Sequence, residues 1–203
     1  MTIHEDKPPK HPSSLWLLSL IYSLYAIGFG TLFACLLLFF TQEIHLSEAH
    51  SFKLFAAFES LVFTLPLLGG YLCDRFGFNN SAICGLIFCF IGMICLSVSH
   101  LYMTYLGLSL LLVGNAVCMP AIWSLVGMLY HKQSALRESG TTIFYLLFNI
   151  GFLIAFSASG FVAQQLNYYA MFLIFSFPIL IALFCFLIFK SKIYVANEYR
   201  STQ

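Results

Sequence analysis

Six apolar segments follow one another along the chain, each close to or above the length that crosses a lipid bilayer. They cover residues 15–40, 51–72, 81–99, 104–130, 140–163 and 169–190. About 20 apolar residues in a helix span the hydrocarbon core, where every backbone hydrogen bond must be satisfied internally. The segments are continuously apolar and lack the alternation of a membrane β-barrel. We therefore predict an all-α membrane protein with six transmembrane helices.

The composition excludes several classes of function. The sequence is 61% hydrophobic and 8% charged, with a net charge of +1, so neither a soluble domain nor a nucleic-acid-binding surface is expected. Its 7 cysteines form no CxxC pair, and its 6 histidines show no ligand spacing. We expect no disulfide, metal site or cofactor. No nucleophile–base pair or phosphate-binding glycine loop occurs, so the sequence does not predict an enzyme.

The distribution of Lys and Arg predicts the orientation of the chain. Six spans place both termini on one side, and that side carries all the basic residues except Lys53. These are Lys7, Lys10, Arg75, Lys132, Arg137, Lys190, Lys192 and Arg200. By the positive-inside rule this side is cytoplasmic. We expect an integral protein of the cell (inner) membrane with a cytoplasmic tail at 1–14, a helical domain at 15–190, and a second tail or linker at 191–203. No cleavable signal peptide is predicted.

Residues 69–80, which read GGYLCDRFGFNN, contain a short polar joint at 74–80 between the second and third spans. Asp74 and Arg75 are adjacent charges bracketed by Gly69, Gly70 and Gly77. Glycines let helix backbones approach closely, so this joint could act in gating. It could equally be a solvated turn whose charges only mark the cytoplasmic side. A second charged loop is predicted at 131–139, where Lys132 and Arg137 could bind anionic lipid headgroups or simply fix the topology.

Polar side chains inside the spans are the candidate functional residues. Glu59 is an acid within the second span, where an unpaired charge is costly, so it is either a proton or cation site or a wet residue near Lys53. Tyr22, Tyr25 and Tyr145 carry hydroxyl groups that need partners. Asn115 and Asn149 could bind a substrate or join two helices by hydrogen bonds, and helix joining is the commoner role. The face that carries Asn149 and Tyr145 distinguishes a transporter from a scaffold, because a transporter leaves it accessible to water.

Two motifs resemble those of a known transporter group. Gly70, Leu72, Asp74, Arg75 and Gly77 match the glycine-x-leucine-x-aspartate-arginine-x-glycine loop of the major facilitator superfamily. The basic residues that usually follow this loop are absent. The segment 144–151 (FYLLFNIG) looks like the fifth-helix signature of proton-dependent oligopeptide transporters, and 114–120 (GNAVCMP) resembles their fourth-helix signature.

The resemblance implies one half of a major-facilitator-type bundle, the N-terminal half, and secondary transport by alternating access. It implies a di- or tripeptide, or another small solute, as substrate, with proton symport and lipid contact. Asn149 would contact the peptide beside Tyr145. The first-helix motif glutamate-x-x-glutamate-arginine of that family falls on Tyr22, Tyr25 and Ala26, and the segment 15–40 holds no charge. The family's fourth-helix lysine is Met119 here.

We therefore expect Asn149, Tyr145, Tyr25 and Tyr22 to bind substrate, and Glu59 to be the proton-sensitive group. A pocket without the family's charges should hold a peptide carboxylate poorly. Transporters of this kind use two six-helix halves around a central site. Three interpretations follow: a separately encoded second half, a homodimer, or a truncated remnant. The alternative to transport is a membrane scaffold or assembly partner.

Overall fold

Six helices make up almost all of the part of the chain that the structure describes. The structure is a computed structural model that describes residues 11–130 and 134–194, and of 134–135 and 191–194 only the backbone. The helices are α1 (Ser13–Gln42), α2 (Glu48–Phe76), α3 (Phe78–Leu96), α4 (Leu101–Leu129), α5 (Ser134–Gln165) and α6 (Tyr168–Tyr194). Each is long and apolar enough to cross a membrane. The all-α, six-span prediction is confirmed, and the chain is an integral membrane protein.

Several helices extend beyond the predicted apolar segments into polar residues. α1 begins at Ser13, inside the predicted N-terminal tail, and α6 continues past Lys190 to Tyr194. The predicted loop at 131–139 is wrong for its second part, since α5 begins at Ser134, and residues 131–133 lie outside the described residues. Hydropathy ends a span where the hydrocarbon ends, whereas a helix can continue into the polar layer. Residues 1–10 and 195–203 of the predicted tails also lie outside the described residues.

The joint between α2 and α3 is a single residue. The sequence predicted a polar joint at 74–80, but Asp74 and Arg75 lie in the last turn of α2, and α3 starts at Phe78. Gly77 alone separates the two helices, with φ 85° and ψ 139°. A residue with a Cβ rarely adopts this positive φ, so glycine permits the abrupt reversal. The joint is therefore a sharp corner with no loop.

The helices pack in the spatial order α2, α4, α3, α6, α1, α5. α3 and α4 lie against each other along two glycine pairs, Gly85 with Gly114 and Gly92 with Gly107. A Cβ at Gly85 would lie 2.7 Å from the carbonyl oxygen of Gly114, so the small residues allow this close approach. α2 and α5 lie at the two ends of the order and are the least buried helices. In their most apolar stretches, 17% and 22% of the residues are buried. α1 packs mainly against α5 and α6 and also contacts α2 and α4.

Prolines in α2 and α4 do not interrupt their helices. Pro66 has no N–H, so the carbonyl of Val62 loses its helical hydrogen bond. The side chain of Asn115 on α4 donates to this carbonyl at 3.0 Å. Pro120 likewise frees the carbonyl of Ala116, which points at Gly69 so closely that a Cβ there would overlap it. Each helix thus accommodates a carbonyl that the proline of the other has released.

Candidate functional site

Tyr22 and Tyr25 of α1 are fully buried, with 1% and 2% exposure. Their rings stack at a centroid distance of 5.6 Å and an interplanar angle of 6°. Tyr22 also stacks against Phe148 of α5 at 4.5 Å. Its hydroxyl accepts a hydrogen bond from the Trp123 indole N–H at 3.2 Å. These tyrosines occupy the positions at which the resemblance placed charged residues, and packing and hydrogen bonding accommodate them without charge.

Asn115 joins three helices. The Tyr25 hydroxyl of α1 donates to its Oδ1 at 2.8 Å, and its Nδ2 donates to the carbonyl of Val62 on α2. The side chain is buried, at 4% exposure. Of the two roles that the sequence left open for this residue, the structure supports helix joining. The Tyr25 hydroxyl has thereby found its partner inside the protein.

Asn149 and Tyr145 lie one turn apart on an exposed face of α5. The Asn149 Nδ2 donates to the carbonyl of Tyr145 in its own helix at 2.7 Å, so this amide joins no two helices. Tyr145 is 54% exposed, and its ring lies 6.4 Å from Trp123 of α4. Of the four expected substrate contacts, the structure leaves these two accessible and buries Tyr22 and Tyr25. The expected site is thus divided into a buried layer and an accessible layer.

A continuous series of ring contacts crosses four helices above the buried tyrosines. The centroid distances are 6.4 Å from Trp123 to Tyr145 and 6.4 Å from Tyr145 to Phe148. They are 4.8 Å from Phe148 to Phe152, 5.7 Å from Phe152 to Phe33 and 6.3 Å from Phe33 to Phe63. We call these six residues the aromatic strip. Each of its members is half-buried or exposed. Sequence reasoning did not find the strip, because its rings come from α1, α2, α4 and α5.

Glu59 is half-buried on α2. The structure assigns it no hydrogen bond or ion pair with the described residues, so the proposed pairing with Lys53 does not occur there. Glu59 and Phe63 are four residues apart and therefore share one helix face. The acid thus lies one turn from the end of the aromatic strip. In the described part of the chain, no three His, Cys, Asp or Glu side chains come together as metal ligands.

The residues of the loop motif have different surroundings. Asp74 and Arg75 are exposed at the end of α2, where a basic residue complements the helix dipole. A Cβ at Gly70 would meet nothing within 4 Å, whereas Gly69 contacts α4. Close packing therefore depends on Gly69 and not on Gly70. Asn79 is the second residue of α3, and its buried amide has no hydrogen-bond partner among the described residues.

The end of α4 is tied to the segment that precedes α1. The Nδ1 of His11 lies 3.0 Å from the Tyr130 hydroxyl, and the ring of Tyr130 packs on Gly140 of α5. Tyr130 is 1% exposed, and burial raises the pKa of its hydroxyl above 10.0. Three chain segments thus meet at one buried tyrosine at this end of the bundle. Sequence reasoning did not single out this contact, since nothing in the local sequence pairs residues so far apart.

The comparison with known families decides the identity of the bundle. A sequence model described as the Major Facilitator Superfamily matches residues 18–201. The chain belongs to the Major Facilitator Superfamily. Six membrane helices with a Gly-x-Leu-x-Asp-Arg-x-Gly segment ending at Gly77 agree with that membership. The resemblance to this superfamily that the sequence indicated is confirmed.

Individual relatives of this superfamily member are named as peptide permeases and transporters. It is 29% identical over 171 residues to the dipeptide and tripeptide permease A of Chromobacterium violaceum, covering 83% of this chain and 34% of that protein. It is 35% identical over 135 residues to the uncharacterized transporter YclF of Bacillus subtilis, covering 66% and 27%. The similarity to oligopeptide transporters is thereby confirmed. The chain spans about a third of the length of these curated relatives.

The fold is also that of a solved peptide transporter. The crystal structure of a peptide transporter of the POT group, in complex with sulfate, superposes with a TM-score of 0.85. The match has 22% sequence identity and covers 90% of this chain and 38% of that one. At this identity the likeness establishes the shared fold. The bundle described above therefore has the fold of a part of that longer chain.

Proposed function

We propose that this chain is a secondary active transporter, or half of one, that moves a small organic solute across the membrane by alternating access. The observation that carries the proposal is superfamily membership over residues 18–201. The relatives named as dipeptide and tripeptide permeases suggest proton-coupled symport of a peptide or similar solute. On this proposal the chain lies in the cell (inner) membrane, with both termini in the cytoplasm.

Asn149 and Tyr145 are the proposed substrate contacts. Both are exposed on one face of α5, and the Oδ1 of Asn149 is left to accept a hydrogen bond. Tyr22 and Tyr25 are buried behind that face, where Tyr22 stacks on both Tyr25 and Phe148. Gly70, Asp74, Arg75 and Gly77 would serve the gating movement at the cytoplasmic end. Membrane lipid covers the outer surface of the bundle.

The exposed faces of α2 and α5 are the proposed contact with a second six-helix unit. These two helices lie at opposite ends of the packing order and bury the least surface. The second unit would be a further six-helix half or a second copy of this chain. Cross-linking between cysteines introduced on these faces would distinguish a homodimer, which gives a covalent dimer of this chain, from pairing with a different half.

Uptake into proteoliposomes tests the transport proposal. The full chain is reconstituted with an inward proton gradient, and the entry of labelled di- and tripeptides and of other small organic solutes is measured. Asn149→Ala should reduce uptake of a transported solute, because it removes an exposed amide. Ile150→Ala is the matched control, since Ile150 is the exposed neighbour of Asn149. Equal uptake by both variants would remove Asn149 from the site.

Glu59 is the proposed proton-sensitive group. Glu59→Gln keeps the shape of the side chain but cannot titrate, so the pH dependence of uptake should flatten. Glu48→Gln is the control, because Glu48 is an acid in the first turn of the same helix. A pH profile identical to that of the unsubstituted protein would exclude Glu59 from coupling.

A membrane scaffold or assembly partner is the second candidate function. Its support is the internal hydrogen bonding of Tyr25 and Asn115, which leaves these groups unavailable to a substrate. Single cysteines at positions 145 and 149, in a background without native cysteines, distinguish the two functions. Labelling by a water-soluble thiol reagent supports a transport pathway, whereas protection at both positions supports the scaffold.

A further inference from the structure

The aromatic strip is a continuous surface of aromatic rings and carries no charge, and these two properties together select a chemical class of cargo. Its six rings, which belong to Trp123, Tyr145, Phe148, Phe152, Phe33 and Phe63, present aromatic faces and edges in continuous contact. Phe148 stacks directly on the buried Tyr22, so the strip contacts the layer where the resemblance to oligopeptide transporters placed charges. The strip therefore covers the positions expected to hold a charged substrate with a surface that carries no charge.

No basic side chain in the described residues lies within the strip. Those residues place Lys53 in the first two turns of α2, Arg75 in its last turn, Arg137 in the first turn of α5, and Lys190 near the end of α6. The acid nearest to the strip along its helices is Glu59, one turn from Phe63. A carboxylate on the strip would lose its hydration, gain no cationic partner from the described residues and approach a like charge.

The strip does offer hydrogen-bonding groups for an amide. The Asn149 Oδ1 can accept an N–H from a bound molecule, since only its Nδ2 is used in the helix. The Tyr145 hydroxyl has no hydrogen bond to the described residues and can donate to a carbonyl. Aromatic rings favour other rings in offset or edge-on contact beyond the simple burial of area.

We propose that the aromatic strip recognises an aromatic amide that carries no carboxylate. The ring of this cargo packs among Tyr145, Phe148 and Phe152, and its amide group is held by Asn149 and Tyr145. This inference rests on the proposed transport function and narrows its substrate class. Its substrate class would differ from that of the relatives named as peptide permeases, because an unblocked peptide carries a carboxylate at its C-terminus.

Binding to the full chain in lipid nanodiscs tests the proposal. The chain has 2 tryptophans, and Trp16 faces outward at 54% exposure. Trp16→Phe leaves Trp123 as the single indole, so its fluorescence reports on the strip. Three probes are compared. N-acetyl-phenylalanine amide is the reference, N-acetyl-phenylalanine replaces its amide with a free carboxylate, and N-acetyl-leucine amide replaces its aromatic ring with an aliphatic side chain. Equilibrium dialysis of the unsubstituted chain with the same labelled probes gives a measurement independent of fluorescence.

The aromatic amide should bind at least about tenfold more tightly than the carboxylate form, a difference of about 1.4 kcal/mol. It should also bind about tenfold more tightly than the aliphatic amide. Tyr145→Ala should weaken binding of the aromatic amide about tenfold, while Leu146→Ala, at the neighbouring exposed position, should not. Phe63→Leu tests the far end of the strip and should weaken it less. Circular dichroism confirms that each variant keeps its helices.

Equal or tighter binding of the carboxylate form overturns the proposal, as does equal loss in the Tyr145 and Leu146 variants. The outcome for transport is read separately, from proteoliposome uptake. Uptake of an unblocked dipeptide together with no preference for the aromatic amide would leave transport standing and refute this inference. Selective binding without uptake of any solute would support the strip as a recognition surface and refute transport.

Discussion

The hydrogen bond from Asn115 to the Val62 carbonyl exists because Pro66 cannot make the helical one, and this dependence can be measured. Asn115→Ala removes two buried bonds, to Tyr25 and to Val62. Interhelical bonds in membranes contribute about 0.6 kcal/mol on average and at most about 1.7. Leaving the buried Tyr25 hydroxyl unpaired adds about 1 kcal/mol. We expect a total loss of about 1–3 kcal/mol in the free energy of unfolding.

Pro66→Ala restores an N–H that can bond the Val62 carbonyl within α2. In that background Asn115→Ala should cost about 0.6 kcal/mol less, because only the Tyr25 bond is then at stake. Reversible unfolding in mixed micelles titrated with SDS, followed by circular dichroism, gives all four free energies. Asn149→Ala is the control, since this exposed amide bonds only within its own helix, and it should change stability by less than about 0.5 kcal/mol. An identical cost of Asn115→Ala in both backgrounds would refute the reasoning.

Three further substitutions have defined expectations in the same unfolding measurement. Gly77→Ala should destabilise by about 1–3 kcal/mol, because φ of 85° strains any residue with a Cβ; a neutral result would contradict the corner geometry. Asn79→Leu should stabilise by about 1 kcal/mol by removing an unpaired buried amide, and a loss would show an undetected partner. Stability should fall as pH rises above 10.0, because Tyr130 ionises at a lower pH in the unfolded chain than in the folded protein. Tyr130→Phe should reduce this fall, and an unchanged slope at alkaline pH would show that Tyr130 does not contribute to it.

The sequence predicted the number and type of helices well because hydropathy depends only on local composition. It misplaced the ends where charges begin. Asp74 and Arg75 look like a loop by polarity, yet they continue α2, since a helix may extend into the polar layer beyond the hydrocarbon. Gly77 itself could have indicated the corner, because glycine adopts the positive φ of 85° found there at little cost.

The candidate site was predicted in part. Tyr145 and Asn149 are four residues apart, so their shared face follows from the helical period alone. The partner of Asn115 could not be derived, because it depends on which helix lies opposite and on the carbonyl that Pro66 releases. The aromatic strip depends likewise on the packing order of four helices. Pairings between distant segments require the tertiary structure.

The single residue between α2 and α3 also limits the mechanics of the bundle. One residue spans at most about 3.6 Å, so α2 cannot slide along its axis by a full helical turn of about 5.4 Å while α3 stays fixed. Rotation about the corner at Gly77 needs no extra chain length. α3 is held along α4 by paired glycines, and so provides a fixed mount. Any large displacement of α2 in this protein is therefore a rotation about its Gly77 end and not a translation along its axis.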